Sequence, residues 1–149
     1  MPVQPEDFLE SAKRELEKDK EINFRNAISR AYYAAYHSCL PLDEILPDHG
    51  GIKQNVGVHE QFISKLTAYP TACDKLGKIA GMKIKALGYV LQQCKTARHK
   101  ADYQLGAEIT NGEAEAQITQ TEMVFEKLRE LMSIFSSRNL VGMSAINKS

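Results

Sequence analysis

The chain has 149 residues, 43% hydrophobic and 26% charged, the balance of a single globular domain and not of a disordered chain. No apolar run approaches the ~20 residues of a membrane span, and the acidic opening (Glu6, Asp7) lacks a signal peptide's apolar core, so no membrane partner and a cytoplasmic location are expected. Its 19 basic and 19 acidic residues cancel, and the three cysteines, Cys39, Cys73 and Cys94, include no C-x-x-C pair, which argues against a disulfide scaffold or a cysteine-rich zinc site.

The first helical pattern runs from about Pro5 to Lys20, with Phe8, Leu9, Ala12 and Leu16 at the three-and-four spacing of one face. Pro5 suits a first turn, and Glu6 and Asp7 complement the helix dipole. A second pattern runs from about Asn23, able to cap its start, to Leu40, where Pro41 blocks continuation. Pro47, Asp48, Gly50 and Gly51 make residues 41–57 a loop, and a short helix follows from about Val58 to Leu66. The third long helix is predicted from near Thr71 to about Tyr103, with Leu76, Ala80, Leu87, Leu91 and Cys94 as its apolar stripe. Gly77, Gly81 and Gly88 each weaken it by about 1 kcal/mol relative to Ala, and so point to close helix contact or a bend. After Gly106 and the Asn111-Gly112 turn, a fourth long helix spans about Glu113 to Ser136, and residues 138–149 read as a flexible tail. Single-stripe helices must bury their stripes against one another. The expected fold is all-α, an up-and-down bundle of four to five helices in one domain, residues 1–137.

Charge is segregated along the chain. From Lys75 to Lys100 no Asp or Glu interrupts Lys75, Lys78, Lys83, Lys85, Lys95, Arg98 and Lys100, while Glu113, Glu115, Glu122, Glu126 and Glu130 dominate the fourth helix. Such a pattern is either an anion-binding surface or half of an intramolecular pairing. On the second helix, Phe24, Ala27, Ile28, Ala31, Ala35 and Cys39 share a core face, whereas Arg30, Tyr33 and His37 lie opposite, with Tyr32 and Tyr36 flanking. A helix with rings around its girth is buried on two sides, and an oligomer interface with Tyr33 and His37 near a twofold axis is one way to bury the second. On the third helix, Arg98 projects onto the apolar stripe, with Asp102 one turn on, while Lys78 falls on the solvated side. Arg98 with Asp102 is a structural pair stitching the bundle or, with His99 and Lys100, part of an anion site. His99 and Tyr103 form a second one-turn pair on another side.

Other chemistries lack their residues. None of His37, His49, His59 and His99 belongs to a metal-ligand motif, so neither a metal nor a cofactor is expected. No phosphate-cradling glycine loop and no G-x-S-x-G elbow occurs, and the cysteines have no obvious partner histidine.

Two stretches, Ala27-Ile28-Ser29-Arg30-Ala31-Tyr32-Tyr33-Ala34-Ala35-Tyr36-His37 and Arg98-His99-Lys100-Ala101-Asp102-Tyr103, resemble the HEPN superfamily (higher eukaryotes and prokaryotes nucleotide-binding). The resemblance is to its small prokaryotic branch with S-R-x-Y-Y-A-A-x-H and R-x-x-A-D-Y motifs, and His59 before Phe62 is similar to that branch's middle histidine. It covers roughly residues 8 to 105 and implies a helical bundle, usually a homodimer, in a toxin–antitoxin or defence setting. A nucleotidyltransferase or antitoxin partner is part of what it implies. Active members carry an Arg that holds the RNA phosphate and a downstream His that moves the 2′-hydroxyl proton without metal. Here Arg98 and polar His99 match the start of that motif, and Tyr103 stands nearest the position of the missing His. A tyrosine with pKa ~10 is a poor general base at neutral pH. The resemblance and the residues together support an RNA- or nucleotide-phosphate-binding module, with Arg98, Lys100, Lys95 and Arg30 as phosphate ligands. The alternatives are a metal-independent endoribonuclease, with Arg98, His99, Tyr103 and His37 as candidate catalytic residues, and a non-catalytic protein-interaction bundle.

Overall fold

Proline in the first turn and an acid behind it start the first helix as their chemistry requires. In the computed structural model, which describes residues 2–71 and 78–146, α1 spans Pro5–Glu17 and the Asp7 carboxylate accepts the Gln4 backbone N–H at 2.8 Å. Asp19, at φ 55°, turns the chain in the left-handed conformation that a short polar side chain tolerates. Next comes α2, Glu21–Cys39, which begins ahead of the expected Asn23 cap; Asn23 instead donates its side-chain N–H to Glu15 at 2.7 Å. The predicted 41–57 loop contains a single turn, α3 (Leu42–Ile45), and α4 spans Val58–Thr67. The third long helix, α5, is described over Lys78–Tyr103; its predicted start, with Cys73, Leu76 and Gly77, lies outside the described residues. The last, α6, runs Asn111–Ile146 and corrects the expected end near Ser136, since no proline interrupts it and the backbone stays helical where a tail was expected from residue 138. Among the described residues every element is a helix, and none is long and apolar enough to cross a membrane.

The centre of the bundle is α2, packed by α1, α5 and α6. Ala27, Ala31, Ala34 and Ala35 are fully buried along it, short side chains that let three neighbours approach. One core joins Ala27, Ala31 and Ala34 to Leu9, Ile28, Ile109 and Ile118; another joins Ala35, Tyr32 and Tyr36 to Phe62, Leu66, Leu87, Leu91 and Leu131. The second side of α2 is partly covered from within the chain. Phe8 of α1 stacks on His37 at 5.7 Å and lies 6.1 Å from Tyr33, so two-sided burial of α2 does not by itself call for a second subunit.

The segregated charges pair across the bundle. Lys83 meets Glu130 at 3.0 Å and Lys100 meets Glu113 at 2.9 Å, which sets α5 antiparallel to α6. Glu15, with 7% of its side chain exposed, takes hydrogen bonds from Asn23, Lys18 and Arg30, and these hold its pKa at about 2, well below the ordinary 4.5. Because the unfolded chain keeps the higher pKa, it binds more protons between those values, and stability falls as pH drops from about 4.5 through about 2. In urea unfolding at pH 6, Glu15→Gln should cost about 1 kcal/mol, and that deficit should shrink across the same window. A deficit unchanged down to pH 2 would sink the assignment.

Candidate anion-binding site

Arg98 lies where the helical wheel put it, among the apolar residues of α5, with 18% of its side chain exposed. It reaches between two rings of α2, its Cζ 5.4 Å from the centre of Tyr32 and 5.6 Å from that of Tyr33. Nη1 donates to the Tyr33 hydroxyl at 3.0 Å. Asp102 stands 3.7 Å from Nε, beyond hydrogen-bond length, and also accepts the Ser29 hydroxyl at 3.4 Å. The buried Nε has no hydrogen-bond partner. The Arg98–Asp102 pair thus exists but is not a bidentate fork, and most of the guanidinium's five donors are unused among the described residues. Burial opposes the charge on Arg98, yet the Tyr33 hydrogen bond and the Asp102 carboxylate outweigh it and hold the guanidinium charged.

From α4, His59 completes the cluster. Its ring lies parallel to Tyr36 at 3.9 Å and 7°, and its Nδ1 is 2.6 Å from the buried Tyr32 hydroxyl. Burial pushes the Tyr32 hydroxyl far above the usual range for tyrosine, so it stays neutral. Burial first, and then the charges of Arg98, Lys95 and His37, lower the pKa of His59 below 6.5. Half-buried Lys95 is one helical turn before Arg98. The site is a cationic cluster framed by aromatic rings, with Asp102 as its acid.

The other predicted residues fall elsewhere. Exposed His99 and Tyr103, 65% exposed, meet with ring centres 4.9 Å apart and planes tilted by 44°, and neither hydrogen-bonds to Arg98. His99 and Lys100 line a different cavity of about 460 Å³ between α5 and α6, floored by Ile28, Ala97 and Ile109. Lys100 is engaged by Glu113, and Arg30 by Glu15. His99, Lys100 and Arg30 are thus not brought to Arg98, because consecutive helical residues point about 100° apart and the two arginine- and lysine-bound glutamates lie on other faces; Tyr103 stands within electrostatic reach of Arg98. His37 is at the rim, exposed and stacked on Phe8. Sequence reasoning left Tyr32, Tyr33, Tyr36 and His59 out of the site. Their signal was present in the tyrosine spacing of α2 and in the likeness of His59 to a family histidine.

Among the described residues no three His, Cys, Asp or Glu side chains stand together as a metal site needs. Burial pushes the thiols of Cys39 and Cys94 up to about 12 and about 11, which leaves both unreactive; Cys73 lies outside the described residues. Comparison with family models, curated proteins and solved structures finds no match.

Proposed function

We propose that this chain is a HEPN-type bundle that binds RNA or a nucleotide through a phosphate seated on Arg98, acting as a homodimer in a toxin–antitoxin or defence setting. One observation carries most weight: a charged guanidinium fixed between Tyr32 and Tyr33 that makes a single hydrogen bond, to Tyr33. Arginine in a rigid frame is the side chain best matched to phosphate oxygens. Lys95 adds a second positive charge to the same side.

Arg98→Ala should weaken binding of a short RNA by about tenfold or more, a loss of about 1.4 kcal/mol. Arg14→Ala, the same charge change at an exposed position of α1, should cost less than about twofold. Lys78, the solvated-side control suggested by the sequence, has its side chain outside the described residues. Affinity should also fall with salt, and less steeply in Arg98→Ala. Equal small losses in both variants would mean a diffuse surface and overturn the reading.

Metal-independent cleavage is the second reading. It needs a histidine beside the phosphate, and His59 is the one that shares the Tyr32 ring with Arg98. Any cut should then persist in EDTA, survive His99→Ala and fail in His59→Ala.

A further inference from the structure

We propose that Arg98, Lys95 and His59 form a site for a terminal phosphate monoester, and that seating its dianion brings a proton onto His59. This rests on the phosphate reading of Arg98 and narrows it from phosphate in general to one class.

Charge balance is the first argument. A backbone phosphodiester carries one negative charge, whereas a terminal monoester carries about 1.5 to 2 at neutral pH. Two permanent cations, Arg98 and Lys95, act on His59 from α5, and α2 adds His37 with the neutral hydroxyls of Tyr32 and Tyr36. The nearby carboxylates are already engaged: Asp102 with Arg98 at 3.7 Å, and Glu60, next to His59 on α4, with Lys53 at 3.2 Å. Asp43 acts on Tyr36. A third cation that appears on demand suits a dianion better than a diester.

Geometry is the second. The imidazole is held flat on Tyr36 at 3.9 Å, with Nδ1 at the Tyr32 hydroxyl and no hydrogen bond at Nε2 among the described residues. A phenol oxygen accepts as well as donates, so a charged His59 gives its Nδ1–H to Tyr32 and keeps its Nε2–H for a ligand oxygen. Without ligand, burial and the surrounding cations disfavour the charged ring. A dianion reverses that field, and the proton comes from the buffer. Affinity should therefore fall as pH rises through the pKa of the bound state, by up to about tenfold if binding raises that pKa by one unit.

Inorganic sulfate is the first probe, because its double charge is fixed between pH 5 and 8. Calorimetry in buffers of different ionisation heat should show proton uptake, with affinity falling several-fold as pH rises. His59→Gln should bind with a flat profile, His99→Gln, on a different cavity, should keep the slope, and Arg98→Ala should lose binding. In the unaltered protein, the His59 ring resonances should report a higher pKa with sulfate than without. An unchanged His59 pKa, or the same slope in His59→Gln, overturns the proton coupling while leaving Arg98 as an anion ligand. Absence of any sulfate and RNA binding overturns the Arg98 reading itself. For ligand class, a 5′-phosphorylated oligoribonucleotide should bind at least about tenfold tighter than its 5′-hydroxyl twin, and competition by a nucleoside monophosphate separates nucleotide from RNA end. Equal affinity of the twins would make the backbone diester the ligand and overturn the monoester proposal.

Discussion

Replacing Arg25 with alanine should lower the unfolding free energy by about 3 kcal/mol and Tm by several degrees, the largest effect expected of any single polar residue. Arg25 is 6% exposed. From α2 its Nη1 donates to the carbonyls of Ala101 at 2.9 Å and Gln104 at 3.2 Å, and its Nη2 donates to that of Ala107. Nε and Nη2 also meet the Glu21 carboxylate, at 3.1 and 2.8 Å. The last carbonyls of a helix have no intrahelical donor, and here one guanidinium serves the end of α5 and the turn behind it. Alanine leaves the buried Ala101 carbonyl without this donor and removes the link between α2 and the chain at Gln104 and Ala107. Arg25→Lys should recover only part of the loss, since one ammonium cannot reproduce the planar fork. Urea unfolding beside Arg14→Ala, expected within about 0.5 kcal/mol of wild type, is the check. A loss under about 1 kcal/mol would mean that water replaces the guanidinium.

Gly88→Ala and Gly81→Ala should change stability in opposite directions. Alanine gains about 1 kcal/mol over glycine inside a helix. At Gly88 a Cβ would lie 2.7 Å from the Thr67 backbone N and 2.8 Å from the Leu66 Cβ, contacts that force α4 away from α5. The net cost should be about 2 kcal/mol, read as a Tm lowered by several degrees. At Gly81 the nearest atoms belong to Thr71 at 3.5 Å, ordinary contact, so the helix gain should show as a raised Tm. A stabilised Gly88→Ala would mean that the two helices separate freely.

Arg98 was legible because a wheel needs only spacing: a cation among Ala80, Leu91 and Cys94 must be buried and must have a partner. That partner, Tyr33, was read instead as an interface residue, because its level relative to α5 depends on how α2 and α5 cross. His99 followed Arg98 in the motif, yet side chains 100° apart serve different surfaces. Arg25 carried no signal beyond Glu21 one turn before it, since its carbonyl ligands belong to the chain around residues 101–107. The helices themselves were legible from apolar periodicity. Their ends were less so: Asn23 has the chemistry of a cap and serves Glu15 instead.

The position of α2 also orders the folding reaction. Its pairing with α1 is local, but the Thr121 hydroxyl reaches back to the Ala31 carbonyl across 90 residues, at 2.9 Å. Contacts that close long loops form late, because chain entropy is lost before they give anything back. The α1–α2 hairpin should therefore assemble early and hold its alanine face open until α6 docks. Native-state hydrogen exchange should find α6 opening at lower free energy than α2. During synthesis that alanine face stays uncovered until the final helix has been made, so a chain stopped before α6 should be aggregation-prone even though its first hairpin is complete.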